Sequence, residues 1–126
     1  MLWDIFGFEE LNMKCEESGA RFDKFWKRLT DVLRVKQLIR NWTRDHGYLG
    51  RGDFYAVYRG GNVIICILEN GSVLKVPRED FELLFNHWED YIKGRYPRRL
   101  LRDKSRFTKY TISILNQYRE FLQEAI

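Results

Sequence analysis

The sequence has few residues that cross-link or restrain a chain: two cysteines, two prolines and nine glycines among 126 residues. Cys15 and Cys66 are far apart, and neither belongs to a CxxC or another metal-ligand spacing. These counts argue against a disulfide framework and a zinc site, so we expect a reduced, cytoplasmic protein without a metal. The scarcity of proline and glycine predicts short loops.

Long apolar runs are also missing. The longest covers residues 63–68, far fewer than the roughly 20 residues that a membrane-spanning helix needs. The first residues lack a basic stretch followed by an apolar one, the pattern of a signal peptide. We therefore expect neither a membrane partner nor a secretory signal.

Catalytic motifs are absent as well. Gly47, Gly50 and Gly52 do not form a phosphate-binding loop, and there is no GxSxG motif. The two histidines, His46 and His87, stand apart, and neither has the partner that acid–base catalysis requires. We predict no catalytic residue, no cofactor and no enzymatic activity.

The sequence is instead rich in core-forming residues, with 44% hydrophobic and 16% aromatic side chains. A chain of this length buries enough surface to fold as one domain, here residues 1–126. Residues 8–18 are predicted to form a short helix. A longer helical pattern over 20–46, ending near Gly47, predicts either one long helix or two helices that break near Val35.

Three strands are predicted over 54–59, 62–69 and 72–76, since these stretches are β-branched and aromatic. Gly60-Gly61 and Asn70-Gly71 join them, and Asn-Gly is a strong hairpin signal. The middle strand is apolar on both sides, which predicts a sheet covered on both faces by helices, a second subunit or a partner.

Two helical patterns follow the strands, one from Pro77 to Gly94 and one starting after an N-cap at Ser105, with a short turn of helix over 97–102. The fold class is therefore α+β: N-terminal helices, a three-stranded antiparallel meander, and C-terminal helices packed on the sheet. Several residues from the strands and helices are predicted to be mostly buried, namely Ile65, Cys66, Ile67, Trp88, Tyr110, Ile114 and Tyr118.

Charge is unevenly distributed, although the whole chain carries only +4. Residues 1–17 have a balance of −4 and residues 93–109 a balance of +7. This asymmetry is typical either of a protein with a polyanion partner or of two chain ends that pack together. A second basic run is predicted to lie on the first long helix: Lys24, Lys27, Arg28, Arg34, Lys36, Arg40 and Arg44.

The basic segment, residues 95–109, is the candidate functional site because cations held close together bind phosphate, and aromatic side chains beside them can stack on bases. The alternative is a surface without a binding function, on which some of the arginines form ion pairs with Glu9, Glu10, Glu16 and Glu17. The candidate nucleic-acid-binding residues are Arg95, Arg98, Arg99, Arg102, Lys104, Arg106 and Lys109.

Residues 76–115 include Val76-Pro77-Arg78-Glu79-Asp80-Phe81, Trp88-Glu89-Asp90-Tyr91 and Lys109-Tyr110-Thr111-Ile112-Ser113-Ile114-Leu115. This stretch resembles uncharacterised small bacterial proteins associated with mobile elements such as integron gene cassettes and restriction loci. The resemblance implies a bacterial or phage origin and a DNA context, but no activity.

Four functions remain open from the sequence, of which a small enzyme is the least favoured. The first is a non-catalytic DNA- or RNA-binding protein that uses the basic segment. The second is a protein-interaction module or homodimer that uses surplus apolar surface, and the third, less favoured, is a small-molecule binder with an aromatic pocket.

Overall fold

The structure, a computed structural model, describes residues 19–125. The predicted helix over 8–18 and the acidic residues of 1–17 lie outside the described residues. Within the described part, the chain combines helices with antiparallel strands, so the α+β class is confirmed.

Helix α1 covers residues 19–32 of the described chain. Its buried side chains, Phe22, Phe25, Trp26 and Leu29, recur at steps of three and four residues, so they form one apolar stripe. The helix ends well before Gly47. The prediction of helix over the rest of 20–46, as one helix or two, was therefore wrong.

Three short strands occupy the region that follows α1: β1 (Gln37–Ile39), β2 (Trp42–Thr43) and β3 (Gly47–Tyr48). Alternation explains why β1 is not helical: Leu38 is exposed, Ile39 is fully buried, and Arg40 is exposed. Gly47 has a φ of 65° and pairs with Thr43 inside the β2–β3 hairpin, so it is not a helix terminus.

The main sheet has four strands in the order β1-β4-β5-β6, where β4 is Phe54–Val57, β5 is Val63–Ile67 and β6 is Val73–Pro77. The β4-β5-β6 part is the predicted meander, and all of its pairs are antiparallel. The prediction of only three strands was wrong because β1 pairs with β4. At the Asn70-Gly71 turn, Gly71 has a φ of 85°, a conformation that favours glycine.

Four helices follow: α2 (Arg78–Ile92), α3 (Arg98–Lys104), α4 (Thr108–Gln117) and α5 (Arg119–Glu124). The predicted last helix is thus two helices that meet at Tyr118. Ser105 is the C-cap of α3 rather than an N-cap, and its hydroxyl accepts a hydrogen bond from the Phe107 N–H at 3.1 Å.

The core lies between the helices and one face of the sheet. Ile39, Phe54, Ala56, Ile64 and Cys66 from this inner face are at most 2% exposed and join α1, α2 and α4 in one apolar cluster. Of the seven side chains predicted to be mostly buried, Cys66 and Ile114 are. The other five are only partly buried: Ile65, Ile67, Trp88, Tyr110 and Tyr118.

The opposite, outer face of the sheet has no helix packed on it among the described residues. Leu38, Tyr55 and Val73 are 42%, 42% and 56% exposed, and Ile65 and Ile67 are partly buried. Val57, on the same face, is only 3% exposed, so the face is covered in part. Coverage by a second subunit or a partner stays a prediction.

Candidate nucleic-acid interface

Helix α3 contains the centre of the basic segment, and its buried residue is Leu101. Leu101 is 1% exposed and packs into the core, while Pro97 at the N-cap is in the extended conformation that leads into the helix. Successive residues of a helix are about 100° apart, so with Leu101 pointing inward, Arg99 and Arg102 point toward solvent.

Three cations of the α3 segment are exposed: Arg99, Arg102 and Lys104. None of them has an ion pair or a hydrogen bond to another residue of 19–125 through its side chain. Asp103 lies four residues after Arg99, on the same side of the helix, and offsets part of the local charge. We call Arg99, Arg102 and Lys104 the α3 cations.

Arg98 differs from the α3 cations because it is partly buried. It stands three residues before Leu101, so it lies nearer the core side of α3. Its Nε atom is buried and has no hydrogen-bond partner within the described part of the chain. Only the end of this side chain is available to a ligand.

The remaining predicted cations are each close to an acidic side chain. The Arg95 guanidinium contacts the Asp90 carboxylate at 2.9 Å. Arg106 is near Asp80, where burial raises the pKa of the carboxyl and the Ser105 hydroxyl and Arg106 act in the opposite direction. The predicted set is therefore not one uniform patch.

Lys109 lies at a second site, beside the β2–β3 hairpin. Along one side of α4, Lys109, Ser113 and Gln117 follow each other at intervals of four residues. The Ser113 hydroxyl accepts from the Trp42 N–H at 3.1 Å, and the Gln117 side chain accepts from the Arg40 N–H at 2.9 Å. This side of α4 therefore positions the chain from Leu38, whose carbonyl accepts from Gln117, to the hairpin.

Asp53 is the acidic centre of this second site. Its carboxylate accepts hydrogen bonds from the Asn41 N–H at 2.9 Å and from the Tyr48 hydroxyl at 2.8 Å. The Asn41 bond is the largest cause of a lowered pKa for Asp53, and Tyr48, Arg40 and Lys109 act in the same direction. Arg40 and Lys109 are therefore both near enough to this carboxylate to lower its pKa.

The second basic run of the sequence is dispersed rather than helical. Lys24, Lys27 and Arg28 lie on α1, and Arg28 pairs with Glu124 at 2.9 Å. Past the helix, Lys36 stacks on Tyr55, Arg40 stacks on Tyr48, and Arg44 pairs with Asp45. Sequence reasoning missed the grouping of Arg40 with Lys109, because only the packing of α4 against the hairpin brings them together.

Residues 19–125 contain no group of three or more His, Cys, Asp or Glu side chains that could hold a metal ion. His87 stacks on Tyr96 with ring centroids 4.3 Å apart. Within the same described stretch, every helix is too short or too polar to cross a bilayer.

The chain matches no protein-family model, and no curated protein and no solved structure is similar enough to it to show a relationship. The resemblance of residues 76–115 to mobile-element proteins accordingly stays a prediction.

Proposed function

We propose that this chain is a non-catalytic nucleic-acid-binding protein whose α3 cations contact phosphate. The observation that supports the proposal best is that Arg99, Arg102 and Lys104 are exposed without an ion pair to any residue of 19–125. A cation already paired with a carboxylate must give up that contact to bind phosphate. An unpaired cation only displaces the counterions that are condensed on the nucleic acid.

Contacts to phosphate fit α3 better than contacts to base edges. The helix has only seven residues, RRLLRDK, and includes neither Asn nor Gln. Adenine is usually read by these two side chains in the major groove, so guanine is the one base that the arginines of α3 could read. Phosphate contacts position a protein without reading the sequence, so we expect similar affinity for unrelated duplexes.

The number of contacts sets the expected salt dependence. For duplex DNA the log–log slope is about −0.9 for each neutralised phosphate, so three α3 cations give a slope of about −2.7. A contribution from the end of Arg98 would bring the slope to about −3.6. Arg95, Arg106 and Lys109 are expected to add less, because each is near a carboxylate.

A charge-matched pair of variants tests the location of the site. In the first variant, Arg99, Arg102 and Lys104 are changed to Glu. In the control, the exposed cations Lys24, Lys27 and Arg34 on and just after α1 are changed to Glu. Both variants undergo the same change in net charge, and both keep the core intact.

The expected result is that the α3 variant loses binding to a fluorescent DNA duplex at low salt, while the control keeps most of it. Thermal unfolding of both variants should match the parent, because these side chains make no ion pair with 19–125 apart from a 3.6 Å contact of Arg34 with Asp31. Equal losses in both variants would show that only net charge matters. No binding by the parent would refute the proposal.

A further inference from the structure

A surface cleft of about 370 Å³ lies between the second half of α2 and helix α5, and we call it the α2–α5 cleft. Its lining combines three apolar residues with four polar ones: Trp88, Ile92 and Leu122, and Glu89, Lys93, Arg119 and Gln123. Two other clefts, each about 310 Å³, are lined mainly by charged side chains and have no tryptophan. Small-molecule sites usually measure about 300 to 1,000 Å³ and combine apolar surface with a few polar groups.

The apolar surface of the cleft is held in place by the core. Leu122 is 6% exposed and is the most deeply buried lining residue. Trp88 and Ile92 are partly buried and stand four residues apart, so they lie on the same side of α2. The Trp88 ring packs against Trp42 and Tyr91, with centroids 6.4 and 5.9 Å away. A flat aromatic ring is well suited to pack against an indole that is fixed in this way.

The charges of the lining leave one cation for a ligand. The Lys93 ammonium contacts the Glu89 carboxylate at 2.6 Å, so these two charges offset each other. Arg119 has no ion pair with a residue of 19–125, and its guanidinium donates to the neutral side-chain oxygen of Asn116. The same guanidinium lies 5.6 Å from the centre of the Trp42 ring, which helps to orient it. The lining therefore has a net charge of +1, located on Arg119.

The arrangement of ring and cation limits what the cleft can bind. Arg119 and Leu122 are three residues apart on α5, so the guanidinium lies beside the apolar surface. A guanidinium can donate two parallel hydrogen bonds to a carboxylate. One carboxylate also matches the net charge of +1, whereas a phosphate monoester carries nearly two negative charges and would leave one of them unmatched.

We propose that the α2–α5 cleft binds a small aromatic carboxylate, with the ring of the ligand against Trp88 and its carboxylate on Arg119. This site is separate from the α3 cations and does not depend on nucleic-acid binding. It gives a location to the small-molecule function that the sequence leaves open.

The test follows the indole N–H signal of Trp88 in the NMR spectrum of the isotope-labelled full-length chain. Naphthoate is the probe, and naphthamide, which has nearly the same shape but no charge, is the matched control ligand. A Trp88→Phe variant identifies the Trp88 signal. Trp26, which is 9% exposed and belongs to the core on α1, serves as the reference signal.

We expect naphthoate to shift the Trp88 signal in a saturable way and to leave the Trp26 signal in place. Naphthamide should bind about 10- to 100-fold more weakly, because it cannot form the charge-assisted hydrogen bonds with Arg119. A shift of Trp88 without a shift of Trp26 would locate the ligand in the cleft.

Three variants test the roles of the lining residues. Arg119→Gln should weaken naphthoate by about the same 10- to 100-fold and leave the affinity for naphthamide unchanged. Arg59→Gln removes the same charge from an exposed arginine between β4 and β5 and should change neither affinity. Gln123→Trp places a large side chain at the exposed edge of the cleft and should weaken both ligands. Thermal unfolding of each variant shows whether it is folded.

Any of three results would overturn the proposal. The first is that naphthoate at millimolar concentration leaves the Trp88 signal unchanged. The second is that the parent chain binds naphthoate and naphthamide equally well. The third is that Arg59→Gln weakens naphthoate as much as Arg119→Gln does, because only net charge would then matter. None of these results bears on duplex binding by α3, so the two proposals can fail separately.

Discussion

Replacing Asp53 with Ala should loosen the β2–β3 hairpin from the strand that follows it. The Asp53 carboxylate accepts from the Asn41 N–H at 2.9 Å, and Asn41 is only 7% exposed. Leaving a buried N–H without an acceptor costs about 1–3 kcal/mol. The Tyr48 hydroxyl belongs to a residue that is 47% exposed, so water can replace that bond at a cost of about 0.5 kcal/mol.

We therefore expect the Asp53→Ala variant to lose about 2–3 kcal/mol of unfolding free energy. Urea denaturation measures the loss. The slope of unfolding free energy against urea concentration should equal that of the parent. Asp53→Asn keeps an acceptor for Asn41 and should lose about 1 kcal/mol, while Tyr48→Phe should lose no more than about 0.5 kcal/mol. A loss from Tyr48→Phe that equals the loss from Asp53→Ala would contradict this reasoning, as would a loss below about 0.5 kcal/mol for Asp53→Ala.

The same carboxylate gives a pH dependence of known sign. Hydrogen bonding by Asn41, then Tyr48 and the nearby cations Arg40 and Lys109, lowers the pKa of Asp53 in the folded chain. Its stabilisation is complete above the unfolded pKa of about 3.9 and is lost as pH falls through the lower folded value. The stability gap between the parent and Asp53→Asn should be constant from neutral pH to about pH 5 and should close in acid. A gap that widens below about pH 4 would contradict this assignment.

Two further predictions concern the loop between β3 and β4 and the core. Gly52→Ala should cost about 1–2 kcal/mol more than Gly50→Ala in urea unfolding. Both glycines have positive φ, but an added Cβ meets the Asn41 Nδ2 atom at 2.9 Å only at Gly52 and open space at Gly50, so equal costs would refute the close approach. Burial raises the pKa of the Cys66 thiol to about 12, so in a Cys15→Ser variant a thiol reagent at pH 8 should react only after denaturant is added. Rapid labelling of the native variant would show that Cys66 is not enclosed.

The strands around the two glycine-containing turns could be predicted from the sequence because their signals are local. Asn70-Gly71 and Gly60-Gly61 supply residues that adopt positive φ, and β-branched residues lie on either side of them. The apolar stripe of α1 is equally local, since Phe22, Phe25 and Leu29 repeat at helical steps.

The chain from Val35 to Tyr48 could not be predicted in this way. Val35, Leu38, Ile39 and Trp42 fit a helical repeat, yet this stretch forms a strand and a hairpin. Its backbone hydrogen bonds go to distant partners, such as Ser113 for the Trp42 N–H. The local spacing of apolar residues cannot indicate a contact with a residue 71 positions away. Tertiary contacts therefore decided the structure of this stretch.

The candidate site likewise has features that the sequence predicts and features that only the structure shows. The sequence shows that cations are dense over 95–109, but it does not show which of them are paired. Arg95 contacts Asp90 within five residues, a pairing that local spacing could suggest. The proximity of Lys109 to Asp53 depends on the packing of α4 against the hairpin and is visible only in the structure.

The salt dependence of duplex binding tests the central claim most directly. Fluorescence anisotropy with an arbitrary DNA duplex measures the dissociation constant of the parent chain at several salt concentrations. With three or four phosphate contacts, affinity should fall about 40- to 150-fold between about 50 and about 200 mM salt. It should fall similarly for an unrelated duplex sequence. Affinity that does not change with salt, or an equally steep fall when Arg99, Arg102 and Lys104 are all Glu, would contradict the account.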